Sequence, residues 1–284
     1  MGEITHTYFA PLVRLPDAPC TAISYRSHHE RNGDLMNAVT NQTGVSNAPT
    51  PLIAQRGRFF FFGMACLIAA IVFVGFAPTF YLQRVYHSPS LATLFEVHGA
   101  VFTAWIVLLI AQTLLIQAER ADVHRRLGIA GTTLAAAMVV IGVMVAIQGA
   151  VDGTAGTRVG VPPLTFLTIP LGAIVIFGVL VTIAIFLRRN HEAHKRLILI
   201  ATINITAPAI GRIGDNVFHI ATPLFIVGST AALVVACILF DWITRRKVHF
   251  VFAVVGPMTM ISGPLRLAFG YTDAWLGFAK WLTS

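Results

Sequence analysis

The stretch FFFFGMACLIAAIVFVGFAPTFY, Phe59 to Tyr81, carries no charged side chain in 23 positions. A helix rises about 1.5 Å per residue and the hydrocarbon core of a bilayer is about 30 Å thick, so about 20 such residues cross it. Working outward, comparable apolar runs follow at Phe95 to Ile116, Leu127 to Gln148, Leu164 to Leu187, Leu197 to Ile213, Ile220 to Ile243 and His249 to Phe269. The pattern predicts an all-α, polytopic transmembrane helical bundle of about seven spans. The fifth run is short and carries Pro208, and the seventh contains Pro257 and Pro264, so six spans plus a re-entrant segment is the alternative.

Composition agrees with this reading. Of 284 residues, 56% are apolar and only 11% charged, too little polar surface for an ordinary soluble domain. The net charge of +8 could signal nucleic acid, anionic lipid or membrane topology, and the basic residues decide by falling in short loops between the apolar runs. One side collects Arg56, Arg58, Arg120, Arg125, Arg126, Arg188, Arg189, Lys195, Arg196, Arg245, Arg246 and Lys247, twelve in all; the other has Arg84, Arg158, Arg212, Arg266 and Lys280. This bias predicts a cytoplasmic N-terminus and an external C-terminus. Heptahelical receptors and microbial rhodopsins run the other way, and the seventh run has no lysine to carry retinal.

The expected domains are a polar, disordered cytoplasmic leader over 1–58, a helical membrane domain over 59–270 and a short extracytoplasmic tail over 271–284. The leader holds five prolines and no basic-then-apolar signal peptide, so the first span is expected to act as the insertion signal, and Met36 is a reasonable alternative start. His28, His29, Glu30 and Arg31 read as solvated leader far more readily than as a metal-binding tail. Cys20, Cys66 and Cys237 are widely spaced, with no CxxC, so neither a disulfide framework nor a structural zinc site is expected.

A histidine recurs where return helices begin: Asp122-Val-His124-Arg125-Arg126-Leu-Gly128, Glu192-Ala-His194-Lys195-Arg196-Leu197 and Arg246-Lys247-Val-His249-Phe250. The recurrence suggests repeated two-helix hairpins. Imidazoles at one level on separate helices can ligate haem iron or a transition metal. As the alternative, a histidine beside two basic residues anchors a helix end among lipid phosphates.

On the other side, His98, Phe102, Trp105, Leu109 and Gln112 share one helix face, predicted to look into the bundle. Asp215 and His219 stand four apart, where a helical turn would let the carboxylate orient the imidazole. With Glu96, Arg212 and Arg266 they form a polar cluster, since ionisable groups in or under a membrane mark functional sites. The bland account is a salt-bridged lid with Arg212 and Arg266 neutralised by Asp215 and Glu96. Gln112, Gln148 and Asn204 read as interhelical hydrogen-bond donors, and Gly128, Gly131, Ala135 and Gly142 as close-packing positions. No phosphate-binding glycine loop, HExxH or catalytic triad occurs, so no catalytic residue is assigned and conventional soluble-enzyme chemistry has no support, which leans against an enzyme without deciding it.

On His98-Gly99 with Phe102 and Trp105, and on the His124 and His194 hairpin entries, the chain resembles an uncharacterised bacterial multi-span membrane protein family over about residues 56 to 270. The entries are also similar to small membrane proteins associated with haem-copper oxidase assembly, which implies haem or metal handling. Two-haem b-type cytochromes likewise place histidines at two membrane levels, although here the outer histidines fall on spans two and six and the inner ones number three. The expectation is a haem- or metal-binding protein of the bacterial inner membrane, in electron transfer or respiratory cofactor delivery. Its cofactor would be haem b or a transition metal, and its partners lipid and respiratory-chain membrane proteins, with no nucleic acid. The expected ligands are His98 and His219 on the outer side and His124, His194 and His249 on the inner. A small-solute or proton-coupled carrier and a ligand-free assembly partner are the other readings.

Overall fold

The computed structural model describes residues 51–284 except Ala221. The leader to position 50, with Cys20, His28, His29, Glu30, Arg31 and Met36, lies outside the described residues. Those residues contain helices and no strand: α1 Pro51–Phe76, α2 Thr93–Gln117, α3 Ala121–Val151, α4 Pro163–Phe166, α5 Thr168–Phe186, α6 His191–Asn204, α7 Ala207–Ile213, α8 Pro223–Arg245, α9 Gly256–Gly270 and α10 Asp273–Thr283. Six helical stretches are long and apolar enough to cross a membrane. A seventh crossing arises if α6 and α7, bent by 45°, count as one broken span.

The breaks sit where the sequence cannot donate a backbone hydrogen bond. Pro78 lies in the wide turn Ala77–Tyr81 that ends α1, and Pro208 lies in the first turn of α7, just after α6 stops at Asn204. Pro257 follows the wide turn Val251–Val255 in the same way, while Pro264 is accommodated inside α9. Side chains close several starts: Asn190 Oδ1 accepts from the Ala193 N–H at 3.1 Å, Thr222 from Phe225 at 3.2 Å and Thr272 from Trp275 at 3.3 Å. Gly156 is required by its φ of +78°, and a β-carbon there would also strike the Val161 carbonyl and the Phe166 ring.

Three expected boundaries move. Residues 51–58, expected as the end of a disordered leader, are helical and form the start of α1. Helix α3 begins at Ala121 rather than Leu127, because the charged segment Asp122 to Arg126 is itself helical and continues into the apolar run. The segment expected as a tail folds as α10, with Trp275 and Ala279 buried and the Trp275 indole N–H donating to the Leu164 carbonyl at 2.8 Å.

Helix α6 lies at the centre. Arg196, Leu197 and Leu199 to Asn204 are all buried, leaving no lipid-facing side, and contacts run from α6 to α5, α8, α9 and α1. Enclosure by neighbours lets so short a helix occupy the bundle axis. Trp105 of α2 is buried, donates from Nε1 to Thr202 Oγ1 of α6 at 3.1 Å and meets the Phe177 ring edge-on at 5.1 Å. The predicted inward face of α2 is therefore observed. Outward, Phe186 and Leu224 are each 81% exposed, the pattern of side chains that a bilayer covers.

Candidate functional site

The end of the bundle that carries most of the basic residues is organised by a carboxylate which the sequence reading passed over. Asp241, in the last turns of α8, and Arg196, in the second turn of α6, have no exposed side-chain surface. Arg196 donates from Nη2 to Asp241 Oδ1 at 2.5 Å and from Nε to Oδ2 at 3.0 Å, and from Nη1 to Glu192 Oε2 at 2.6 Å. Glu192 also receives Lys195 and Arg245, each at 2.6 Å, and the His249 backbone N–H donates to Asp241 Oδ2 at 3.1 Å. The Phe252 ring lies under the Arg196 guanidinium, 5.2 Å from its centroid, with Phe61 at 5.9 Å. The signal for Asp241 was present: it is an acid inside an otherwise apolar run, which is expensive unless paired.

Around this network stand the three hairpin histidines, in different states. His194 places Nδ1 2.8 Å from the Ala184 carbonyl oxygen, near the end of α5. That carbonyl is left over because the Arg188 N–H bonds Ile185 instead, so the imidazole caps it, donating from Nδ1. Its Nε2 is not engaged by that bond. His124, in the first turn of α3, is half-buried and close enough to His194 and His191 for their charges to interact. Its Nδ1 is buried without a hydrogen-bond partner, and so is the Oε1 of Gln112, whose Nε2 donates to the His124 carbonyl at 3.2 Å. His249 differs: its Nδ1 accepts the Val251 N–H at 3.2 Å, so the neutral ring carries its proton on Nε2 and offers no free nitrogen. The expected inner triplet thus reduces to His124 and His194.

At the far end the expected cluster is divided. Asp215 forms an ion pair with Arg158 of the loop before α4, and no ion pair joins it to Arg212. Arg266 donates to carbonyls, from Nη1 to Ile169 at 2.6 Å and from Nε to Ser262 at 3.1 Å, in space left by Gly172. Glu96 is exposed and pairs with neither arginine among the described residues. His219 is exposed at the end of the wide turn Gly214–Phe218, with φ of +56°, and Asp215 does not orient it. The expected outer ligands stand in different settings: His219 ends the wide turn Gly214–Phe218, while the His98 ring packs against Phe102 of its own helix, ring centroids 4.0 Å apart. His98 Nδ1 and Arg212 Nε are both buried without partners, and the Arg212 guanidinium lies 4.7 Å from the Phe76 ring centroid. Asn204 donates to the Ala173 carbonyl at 2.8 Å and Gln148 to Asp152 at 2.7 Å, so Asn204 ties α6 to α5 and Gln148 serves locally.

No three His, Cys, Asp or Glu side chains among the described residues converge as a metal-ion cage. Comparison with protein-family models finds no match, and neither do comparisons with curated proteins or with solved structures.

Proposed function

We propose that this multi-pass membrane protein binds a haem at its basic end, with His194 and His124 as the axial ligands. The observation that carries the reading is the His194 ring, whose Nδ1 is held by the Ala184 carbonyl so that Nε2 is left free, the arrangement that fixes tautomer and direction in ligating histidines. His124 supplies a second imidazole from a different helix, within electrostatic reach, with a buried and unpartnered ring nitrogen. Ligand count favours haem over a bare ion. A bare ion asks the protein for three or four donors, whereas haem brings its own equatorial nitrogens and asks for one or two axial ligands.

The role proposed is electron transfer, or delivery of the cofactor to a respiratory complex, in the bacterial inner membrane. The charge bias supports this reading: by the positive-inside rule the basic end, and with it the two histidines, would face the cytoplasm. The proposed partners are respiratory-chain membrane proteins that meet that face.

The test is an absorption spectrum, oxidised and dithionite-reduced, of the full chain purified in mild detergent from haem-supplemented cells, with metal analysis of the same sample. A Soret band that shifts on reduction and is lost in both His194→Ala and His124→Ala is expected. A colourless, iron-free preparation overturns the reading and leaves His194 as the cap of α5.

A further inference from the structure

The buried pair at the far end carries an inference independent of the haem reading. Arg212 belongs to α7, beyond the break at Asn204, and its Nε is buried without a hydrogen-bond partner. The carboxylate closest to it in sequence, Asp215, is paired with Arg158. Arg158 and Asp215 both lie within electrostatic reach of Arg212, and Asp215 is already committed to Arg158. His98 of α2 lies within reach of the same guanidinium, and its Nδ1 is also buried and unpartnered.

The walls are aromatic. Phe76 lies against the guanidinium and Phe102 against the imidazole. An aromatic face orients a cation but supplies no hydrogen-bond acceptor, so the donor edge of Arg212 still lacks what a guanidinium edge fits best, two coplanar oxygens. Buried donors without acceptors are uncommon in folded proteins and call for an explanation.

We propose that Arg212 and His98 form a binding site for a small oxyanion entering from the far end. The anion is held on the donor edge of Arg212 that includes Nε, and His98 Nδ1 donates a further hydrogen bond. A free carboxylate or phosphate and the phosphate of an anionic lipid present the same chemistry. The site lies at the opposite end of the bundle from His124 and His194.

The experiment uses the full chain in a neutral detergent, stripped of lipid, with thermal unfolding followed by tryptophan fluorescence. Sodium acetate, inorganic phosphate and, in a separate arm, phosphatidylglycerol in the micelle are titrated against sodium chloride at matched ionic strength. A saturable rise in Tm beyond the chloride control is expected, because a ligand that binds only the folded state stabilises it. Arg212→Gln should abolish the rise. Arg212→Lys keeps the charge and loses the fork, so it should raise the apparent Kd about tenfold or more, as should His98→Gln. If Arg212→Gln does not fold, those two variants decide the matter.

A rise with acetate or phosphate supports the site and makes the ligand a soluble anion. A rise with phosphatidylglycerol alone, lost in the variants, supports the site and makes its source the lipid. A response equal to chloride in every arm, or one that persists in the Arg212 and His98 variants, overturns the proposal.

Discussion

Asp241 and Arg196 are 45 residues apart in the chain and share two charge-assisted hydrogen bonds with no exposed side-chain surface on either partner. The pair fastens the central helix α6 to α8, and Glu192 and Arg245 extend it. Removing one partner leaves the other charged and buried, which costs more than the intact pair contributes. Asp241→Ala should therefore lower stability by about 3 kcal/mol or more, whereas the double change Arg196→Met with Asp241→Leu should recover most of that loss. Denaturant unfolding of the purified protein in detergent measures both.

The hairpin histidines separate by what their second nitrogen does. His249→Gln should leave a Soret band and its reduction shift in place, because the Nδ1 of His249 is already committed to the Val251 N–H. His194→Ala should lose it. A spectrum that vanishes in His249→Gln while surviving in His194→Ala would refute the ligand assignment.

Acid should weaken the basic end through His249, which lies just before the span beginning at Val251. Burial, and after it the positive charge of Arg196, holds its imidazole below the ordinary value of 6.5. A depressed value means that the unfolded chain binds the proton more readily. The contribution to stability is thus complete above about pH 6.5 and is lost as the pH falls toward the lowered folded value. Tm measured from pH 7.5 to pH 5 should fall, and His249→Gln should flatten the part of the fall that this ring causes.

Gly75 of α1 meets the backbone of Ala209 in α7 so closely that a β-carbon would collide with the Ala209 carbonyl. A backbone cannot move aside like the end of a long side chain. Gly75→Ala should cost about 1–3 kcal/mol, the usual range for overpacking. Gly63, with open space around its position, is the control, and Gly63→Ala should be tolerated in the same assay.

The charge bias predicts that the two ends of the chain lie on opposite sides of the membrane. An alkaline phosphatase fused after Ser284 should be active, and a fluorescent protein fused there should remain dark. The reverse result would invert the topology and place the His124 and His194 end outside.

Membrane class, all-helical architecture and the approximate spans were legible in the sequence. Each rests on a local property: whether about 20 consecutive residues are apolar enough to leave water. A break in the fifth apolar run was legible too, since Pro208 lacks a donor wherever it sits. The inward face of α2 followed from helical periodicity, and buried Trp105 lies on it. The partners of the charged and imidazole groups were not legible. Asp215 meets Arg158 rather than Arg212, Arg266 meets carbonyls rather than Glu96, and His249 spends its nitrogen on Val251. Asp241 answers Arg196 across the bundle. Hydropathy sets how many helices cross a bilayer, whereas a hydrogen bond requires two groups within about 3 Å. Which groups come that close depends on helix order, rotation and the bends at proline, and these emerge only when the whole bundle packs.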